Sequence, residues 1–340
     1  MKKLGINGFG RIGRAVARAN QIKRKFELVA VNDINPHIDN MAYLLKYDST
    51  YGHYPVDVLA GVESLIIDGK HVAYSSEPDI SDVSWDSQKV DVVVDSSGIA
   101  KNIDLSHKVI SSSGVSKVVV THSSDSVDNE VVMGVNCDSL SSDDNVVSNS
   151  ICDANAIAHV MKWINDEYGV ESGSITTLHP WLSYQNIVDG PAISQSNPGV
   201  VWKDFSLGRS SVSSVIPKNT TAMTAVEKVI PALKGKVMSF SYRIPTGIVA
   251  SSDLTIRIKK QICQEDLVTF INGKINESPY VSANSESLIS HDYEGNDSSA
   301  IIDMQWLKVQ GDMIKIVLWY DNEFGYSSRV LDLAAKLAER

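Results

Sequence analysis

Short apolar runs alternate with amphipathic stretches over the first half of the chain. Lys3–Asn7 reads as a strand, Arg11–Arg24 as a helix with one apolar face, and Glu27–Val31 as a second strand. Val90–Asp95 and Lys117–Thr121 are almost wholly apolar, as strands buried on both faces of a parallel sheet should be. The alternation predicts an α/β unit built on a doubly wound parallel sheet. After Cys152 the pattern changes. One helix, Ala154–Tyr168, precedes longer strands at Gly173–His179, Met238–Ile244, Ser252–Lys259, Ala300–Met304 and Met313–Tyr320. Long strands with few helices between them predict an α+β unit with a mainly antiparallel sheet.

The predicted boundary lies near Ile151, giving units 1–151 and 152–321. The segment 322–340, with an amphipathic helix at Ser328–Leu337, returns to complete the first unit. Ser183–Ser214, rich in Ser, Asn, Gly and Pro, reads as a long loop held in order by Trp202 and Phe205. Ser106–Ser113 and Ser139–Asp144 read as solvated loops, and no internal repeat is present.

The 340 residues suffice for two cores. A net charge of −10 argues against non-specific nucleic-acid binding and gives no support for attraction to anionic membranes. Met1-Lys2-Lys3 could open a signal peptide, but Asn7, Gly8 and Arg11 interrupt any apolar segment. No apolar run approaches the roughly 18 residues of a membrane span. Cys137, Cys152 and Cys263 form no CxxC pair, which fits a reducing cytoplasm better than a disulfide framework or a zinc site. A cytoplasmic protein with no metal, nucleic-acid or membrane partner is the expectation.

Candidate chemistry begins at Gly8-Phe9-Gly10-Arg11-Ile12-Gly13, a GxGxxG spacing between a strand and a helix. Gly8 permits the tight turn, Gly10 lets the backbone approach a pyrophosphate, and Gly13 allows close helix–sheet packing. The helix start adds unpaired N–H groups and a partial positive charge. Asp33 ends the second strand, where a carboxylate can accept hydrogen bonds from an adenosine ribose and would repel a 2′-phosphate. NAD is therefore expected rather than NADP.

Cys152 stands where an apolar strand runs into a helix, and His179 ends a strand-like run. A free thiol of pKa ~8.5 is only a few per cent thiolate at pH 7. A helix N-terminus supplies roughly 0.3–1 kcal/mol, less than the ~1.4 kcal/mol of one pKa unit. An imidazolium partner is needed. His159 lies about 10 Å along the same helix at ~1.5 Å per residue, too far to serve. His37, His53, His71, His107, His122 and His291 read as loop, surface or edge residues. Alone, Cys152 reads as a buried structural cysteine and His179 as a satisfied strand-end histidine. Their pairing beside a dinucleotide unit favours a nucleophile and its base.

The whole chain resembles the glyceraldehyde-3-phosphate dehydrogenase family. The supporting segments include Gly5–Arg14, Val31-Asn32-Asp33, Leu44–Ser49, Met133–Asn136, Ser148-Asn149 and Asp189-Gly190-Pro191. Arg243–Thr246 and Trp319–Ser327 extend the match, around Cys152, Asn155 and His179. The resemblance implies a Rossmann NAD-binding domain followed by a catalytic domain. It implies that Cys152 adds to an aldehyde to give a thiohemiacetal, and that His179 takes the hydroxyl proton as hydride leaves for NAD. His179 and the Cys152 backbone N–H stabilise the oxyanion, and a thioester results. Asn322 corresponds to the residue that holds the nicotinamide carboxamide. A homotetramer is implied, with Ser183–Ser214 lining a neighbour's cofactor site.

The departures cluster around phosphate. Family members usually follow the cysteine with two threonines, where this chain has Asp153 and Ala154; Ile151 replaces the preceding serine. Leu207 stands where an arginine is expected. Thr220 is kept, Thr221 replaces a glycine, and Leu182 and Tyr184 replace a threonine and an aspartate. Arg243 is retained, leaving Asp153, Thr220 and Arg243 as the substrate-side candidates. A carboxylate at ~5 Å from a phosphate opposes it by several kcal/mol at an effective dielectric of ~20. The plainer reading makes Asp153 a helix cap. Lys218 and Arg209 offer a relocated anion site. The expectation is an NAD-dependent aldehyde dehydrogenase whose thioester water resolves to a carboxylate. The alternatives are an ordinary phosphorylating glyceraldehyde-3-phosphate dehydrogenase and an inactive NAD-binding interaction protein.

Overall fold

A computed structural model describes residues 1–194 and 197–340; Gln195 and Ser196, inside the expected Ser183–Ser214 loop, lie outside the described residues. The chain divides into two compact units. The first holds Met1–Val131, Asp138–Ser150 and Ser327–Arg340, and the second Val132–Cys137 and Ile151–Tyr326.

The first unit is a nine-stranded sheet in the order Asn129–Glu130, Val146–Ser148, Lys117–Val120, Val92–Asp95, Lys3–Asn7, Glu27–Asn32, Lys70–Ser75, Ser64–Ile67, Val58–Ala60. Every pairing up to Lys70–Ser75 is parallel; the last two are antiparallel. The apolar runs seen in the sequence are the central strands, with Val92–Asp95 and Lys117–Val120 buried throughout. Burying each such valine contributes roughly 1.5–3 kcal/mol. Chain order reverses at Lys3–Asn7, which pairs with Glu27–Asn32 on one side and Val92–Asp95 on the other. Loops after such strands meet in a crevice at the carboxyl ends, where α/β sheets bind ligands.

One sequence expectation is corrected here. Ser106–Ser113 is not a solvated loop, because Lys101–Ser112 is a helix. Its serines satisfy their hydroxyls on carbonyls one turn back, Ser106 on Asn102 at 2.7 Å and Ser112 on Lys108 at 2.7 Å. His122 lies in a loop as expected, with both ring nitrogens buried near Asp95 and Glu130.

The second unit carries a mixed sheet ordered Ile216–Lys218, Val237–Ile244, Val170–Pro180, Ala250–Ile258, Met313–Tyr320, Ala300–Asp303, Val281–Asn284, with Lys308–Gln310 also beside Met313–Tyr320. Only two of its pairings are parallel, one of them joining Val170–Pro180 to Val237–Ile244. Helices Cys152–Tyr168, Ala222–Val229 and Gln264–Glu277 contribute to the core of this unit with Ile175, Leu254, Ile316 and Leu318. Toward one end of the sheet the buried positions turn polar: Thr177, His179, Ser241, Arg243 and Ser252. Strand register sets His179 opposite Arg243. A buried polar corner on an otherwise apolar face marks a site.

In the 183–214 region, Leu207 is 1% exposed and packs with Ala192, Ile216 and Trp202. Phe205, expected to help anchor this loop, is 80% exposed.

Candidate active site

In the first unit, Gly8 has φ +83°, and a Cβ there would lie 2.4 Å from the Ser97 nitrogen. A Cβ on Gly13 would lie 2.1 Å from the Gly8 oxygen. Both positions are closed to any side chain. Around Gly10 a Cβ would meet nothing within 4 Å, so open space remains on the side from which a phosphate can approach the backbone. Helix Arg11–Lys23 begins there with no side-chain cap and no acidic residue in its first turn, a helix start whose partial positive charge suits an anion. The Phe9 N–H donates to Asp33 Oδ2 at 2.6 Å, and the Asn35 N–H donates to Oδ1 at 3.0 Å. Those bonds fix the carboxylate at its strand end. Arg11 turns its guanidinium onto Asp48 at 2.6 Å, which leaves the backbone as its contribution to the cradle. Ile12 follows it in the first turn. These residues fit a dinucleotide.

In the second unit, helix Cys152–Tyr168 begins two residues before the sequence reading placed it. Cys152 is thus its first residue, and Asp153 lies within the first turn. Asp153 is not the cap: the capping position is Ile151, and no side-chain cap bond forms. Asp153 instead turns inward, where Tyr320 donates its hydroxyl to Oδ1 at 2.7 Å. The Tyr320 hydroxyl lies 3.2 Å from the Ser252 hydroxyl. Cys152 Sγ lies 3.6 Å from Asp153 Oδ1 and 3.7 Å from His179 Nε2. His179 Nδ1 lies 2.8 Å from the Pro180 carbonyl oxygen. A carbonyl only accepts, so Nδ1 carries the hydrogen and Nε2 presents its lone pair to the sulfur.

Electrostatics runs against a preformed thiolate–imidazolium pair. Burial pushes the Cys152 thiol well above its ordinary range, Asp153 adds to this, and Arg243 draws it back. Burial brings His179 down to about 4, with Arg243 acting in the same direction and Asp153 against it. Both shifts favour the uncharged thiol and imidazole over the charged pair. Nε2 can take the thiol proton as sulfur attacks, and the nearby carboxylate stabilises the imidazolium that forms.

Two cations converge beside this pair. Arg243 Nη2 and Lys218 Nζ each lie 3.5 Å from the Tyr184 hydroxyl, and Lys218 sits over the Trp202 ring at 5.4 Å. Arg243 is buried, and its Nε has no hydrogen-bond partner among the described residues. An anionic group can replace the weak phenol contacts. Arg209 is elsewhere engaged, paired with Asp189 at 2.8 Å on the surface. Thr220 accepts the Ala222 N–H at 3.1 Å, at the start of the next helix. Leu207 belongs to an apolar cluster and offers no donor.

Asn322 Oδ1 is buried without a hydrogen-bond partner among the described residues. Sequence reasoning missed Tyr320 as the group that holds Asp153, Ser252 as the hydroxyl beside Tyr320, and Tyr184 as the bridge between two cations. Only Tyr184 gave a signal, a phenol at a position expected to be acidic.

Comparison with known proteins bears on both units. Residues 2–103 match the family model of the glyceraldehyde 3-phosphate dehydrogenase NAD binding domain, and residues 151–322 match that of the C-terminal domain. The chain is 37% identical over 344 residues to glyceraldehyde-3-phosphate dehydrogenase 3 of Saccharomyces cerevisiae, covering 100% of both. It is 38% identical over 342 residues to glyceraldehyde-3-phosphate dehydrogenase 2 of Kluyveromyces marxianus, again covering 100% of both. Against the glyceraldehyde-3-phosphate dehydrogenase of Eremothecium gossypii, identity is 36% over 343 residues, with 99% of each covered.

Proposed function

The chain belongs to the glyceraldehyde-3-phosphate dehydrogenase family and is an NAD-dependent dehydrogenase of it, and from that premise we propose that it oxidises an anionic aldehyde through Cys152 and releases the product as a carboxylate by hydrolysis. The observation that carries this reading is the buried Asp153 carboxylate, held by Tyr320 and 3.6 Å from the Cys152 sulfur. It puts a negative charge and a proton acceptor beside the thioester, where it opposes an attacking phosphate and can serve an attacking water.

Bound NAD supplies the hydride acceptor; the Gly8–Gly13 turn would hold its pyrophosphate, Asp33 its adenosine ribose and Asn322 its carboxamide. Cys152 Sγ bonds to the aldehyde carbon, and the thiol proton reaches the carbonyl oxygen by way of His179 Nε2. His179 then takes the thiohemiacetal hydroxyl proton as hydride departs. The Cys152 backbone N–H, lacking an intrahelical partner at the helix start, stabilises the oxyanion. The thioester remains, and His179 passes its proton to solvent. Asp153 accepts a proton from water as the oxygen attacks the acyl carbon. Collapse breaks the C–S bond, and Asp153 returns the proton to the sulfur. Arg243, with Lys218 and Thr220 nearby in the fold, binds the anionic end of the aldehyde.

NADH formation should therefore proceed at the same rate with and without inorganic phosphate across a panel of aldehydes bearing phosphate or carboxylate. Strict dependence on phosphate with glyceraldehyde 3-phosphate would establish the ordinary phosphorylating enzyme instead, a reading favoured by Lys218 standing beside Arg243. No NADH from any aldehyde would leave an inactive NAD-binding protein. The family resemblance also carries a cytosolic homotetramer in this proposal, which light scattering should report as four times the 37.1 kDa chain mass.

A further inference from the structure

The same three side chains meet a second chemical requirement. Cys152 Sγ, an Asp153 oxygen and a His179 ring nitrogen all lie within 4.8 Å of one another. Sγ is 3.6 Å from Asp153 Oδ1 and 3.7 Å from His179 Nε2. A tetrahedral zinc ion with bonds of about 2.3 Å to sulfur and 2.0–2.1 Å to nitrogen or oxygen spaces its ligand atoms by roughly 3.3–3.6 Å. The two separations from sulfur match that range to about 0.1 Å, and the Asp153 and His179 ligand atoms lie within 4.8 Å of each other. Thiolate, imidazole and carboxylate together suit a borderline-soft divalent ion and not calcium or magnesium, which take oxygen ligands.

The supporting bonds are in place as well. The His179 Nδ1–H donates to the Pro180 carbonyl at 2.8 Å, which fixes the tautomer with Nε2 free to ligate. Tyr320 donates to Asp153 at 2.7 Å. Metal-binding histidines and carboxylates are oriented by partners of this kind. Arg243 and Lys218 stand on the other side of the balance, since their charges oppose a cation. Two anionic ligands, Cys152 and Asp153, offset the charge of a divalent ion.

We propose that Cys152, Asp153 and His179 form a three-ligand site for Zn²⁺ or a like divalent ion, with the fourth position open, and that binding there reversibly silences the dehydrogenase. The metal forms a bond to Sγ as the thiol proton passes to buffer. No electron is transferred, and a sulfur lone pair is committed to the metal, which lowers the nucleophilicity of Cys152 toward the aldehyde. The third ligand comes with this chain's own residue at position 153, where the family usually has a threonine. The inference is independent of whether water or phosphate resolves the thioester. It also revises the expectation of no metal: the ligands come from 152, 153 and 179, a spacing no sequence motif flags.

The test is titration of the metal-free, tag-free protein with Co²⁺. The expected result is one ion per chain, with the near-ultraviolet sulfur-to-cobalt band and the intense visible bands of a four-coordinate site. Zn²⁺ should displace it and stop NADH formation until a chelator is added. Cys152→Ser should remove the sulfur band, and Asp153→Thr should weaken Zn²⁺ binding by at least about 10-fold, with unchanged far-ultraviolet dichroism and NAD affinity showing an intact fold. Asp153→Asn is the second variant should the threonine protein not fold. Absence of the band in the parent protein overturns the proposal. So does a band that survives Cys152→Ser, which would place the ion on Cys137 or Cys263, or a Zn²⁺ affinity unchanged by both replacements of Asp153.

Discussion

Replacing His179 with asparagine is expected to lower kcat by about 10²–10⁴-fold, the usual contribution of a positioned acid–base group. The resting Cys152 is a buried thiol held well above its ordinary pKa range by desolvation and Asp153. It cannot attack as a preformed thiolate, and the imidazole 3.7 Å away must take its proton. Asparagine can donate to the oxyanion but cannot accept that proton at neutral pH. NAD affinity should be unchanged, which steady-state kinetics with a separate binding titration would check. The same substitution should flatten the acid side of the stability profile. Folded His179 stays neutral down to about pH 4, whereas an unfolded histidine protonates near 6.5. Unfolding therefore takes up a proton between those values, so the group's contribution is fully present above about pH 6.5 and is lost as pH falls toward 4. Urea unfolding at pH 7.5 and pH 5 should show a drop in the parent protein and a smaller one in His179→Asn.

Asp153→Asn should separate the two half-reactions. Two unit charges 3.6 Å apart repel by a few kcal/mol at an effective dielectric of about 20. Neutralising Asp153 therefore makes the thiolate easier to form, and iodoacetamide should alkylate Cys152 at least ~10-fold faster at pH 7.5. The acylation burst of NADH should survive. Release of the acyl group should slow by about 10²-fold in phosphate-free buffer, as the proton acceptor for water is gone. Added phosphate should recover part of that rate, because the amide no longer repels it. Stopped-flow absorbance of NADH, with peptide mass mapping of the alkylated cysteine, would read both effects. Unchanged alkylation together with unchanged turnover would remove Asp153 from the chemistry.

The parallel strands of the first unit were legible because apolar runs such as Val92–Asp95 are buried on both faces and need no partner to be recognised. The glycine turn was legible because only glycine tolerates the backbone at Gly8. The antiparallel edge, Val58–Ala60, Ser64–Ile67 and Lys70–Ser75, was not: its strands mix buried with half-buried or exposed positions and so show no continuous apolar run. The helix Lys101–Ser112 was hidden by serines that look like loop residues until their hydroxyls are paired one turn back. At the site, local sequence named Cys152 and Asp153, but not which way Asp153 turns. Its partner Tyr320 lies 167 residues away, and only strand pairing across the second sheet brings it into reach. Lys218 and Arg243 were visible as cations, whereas their convergence on Tyr184 depends on the pairing of Ile216–Lys218 with Val237–Ile244.

Hydrolysis of the Cys152 thioester is tested most directly by following the acyl-enzyme itself. The enzyme is acylated in a single turnover with excess NAD, quenched at intervals, and the acylated Cys152 peptide is quantified by mass spectrometry with phosphate varied from zero to about 10 mM. The expected result is a decay rate that does not change with phosphate and a carboxylate product carrying label from H₂¹⁸O. A decay rate that rises in proportion to phosphate and vanishes in its absence would contradict hydrolysis and make Asp153 a bystander to phosphate attack.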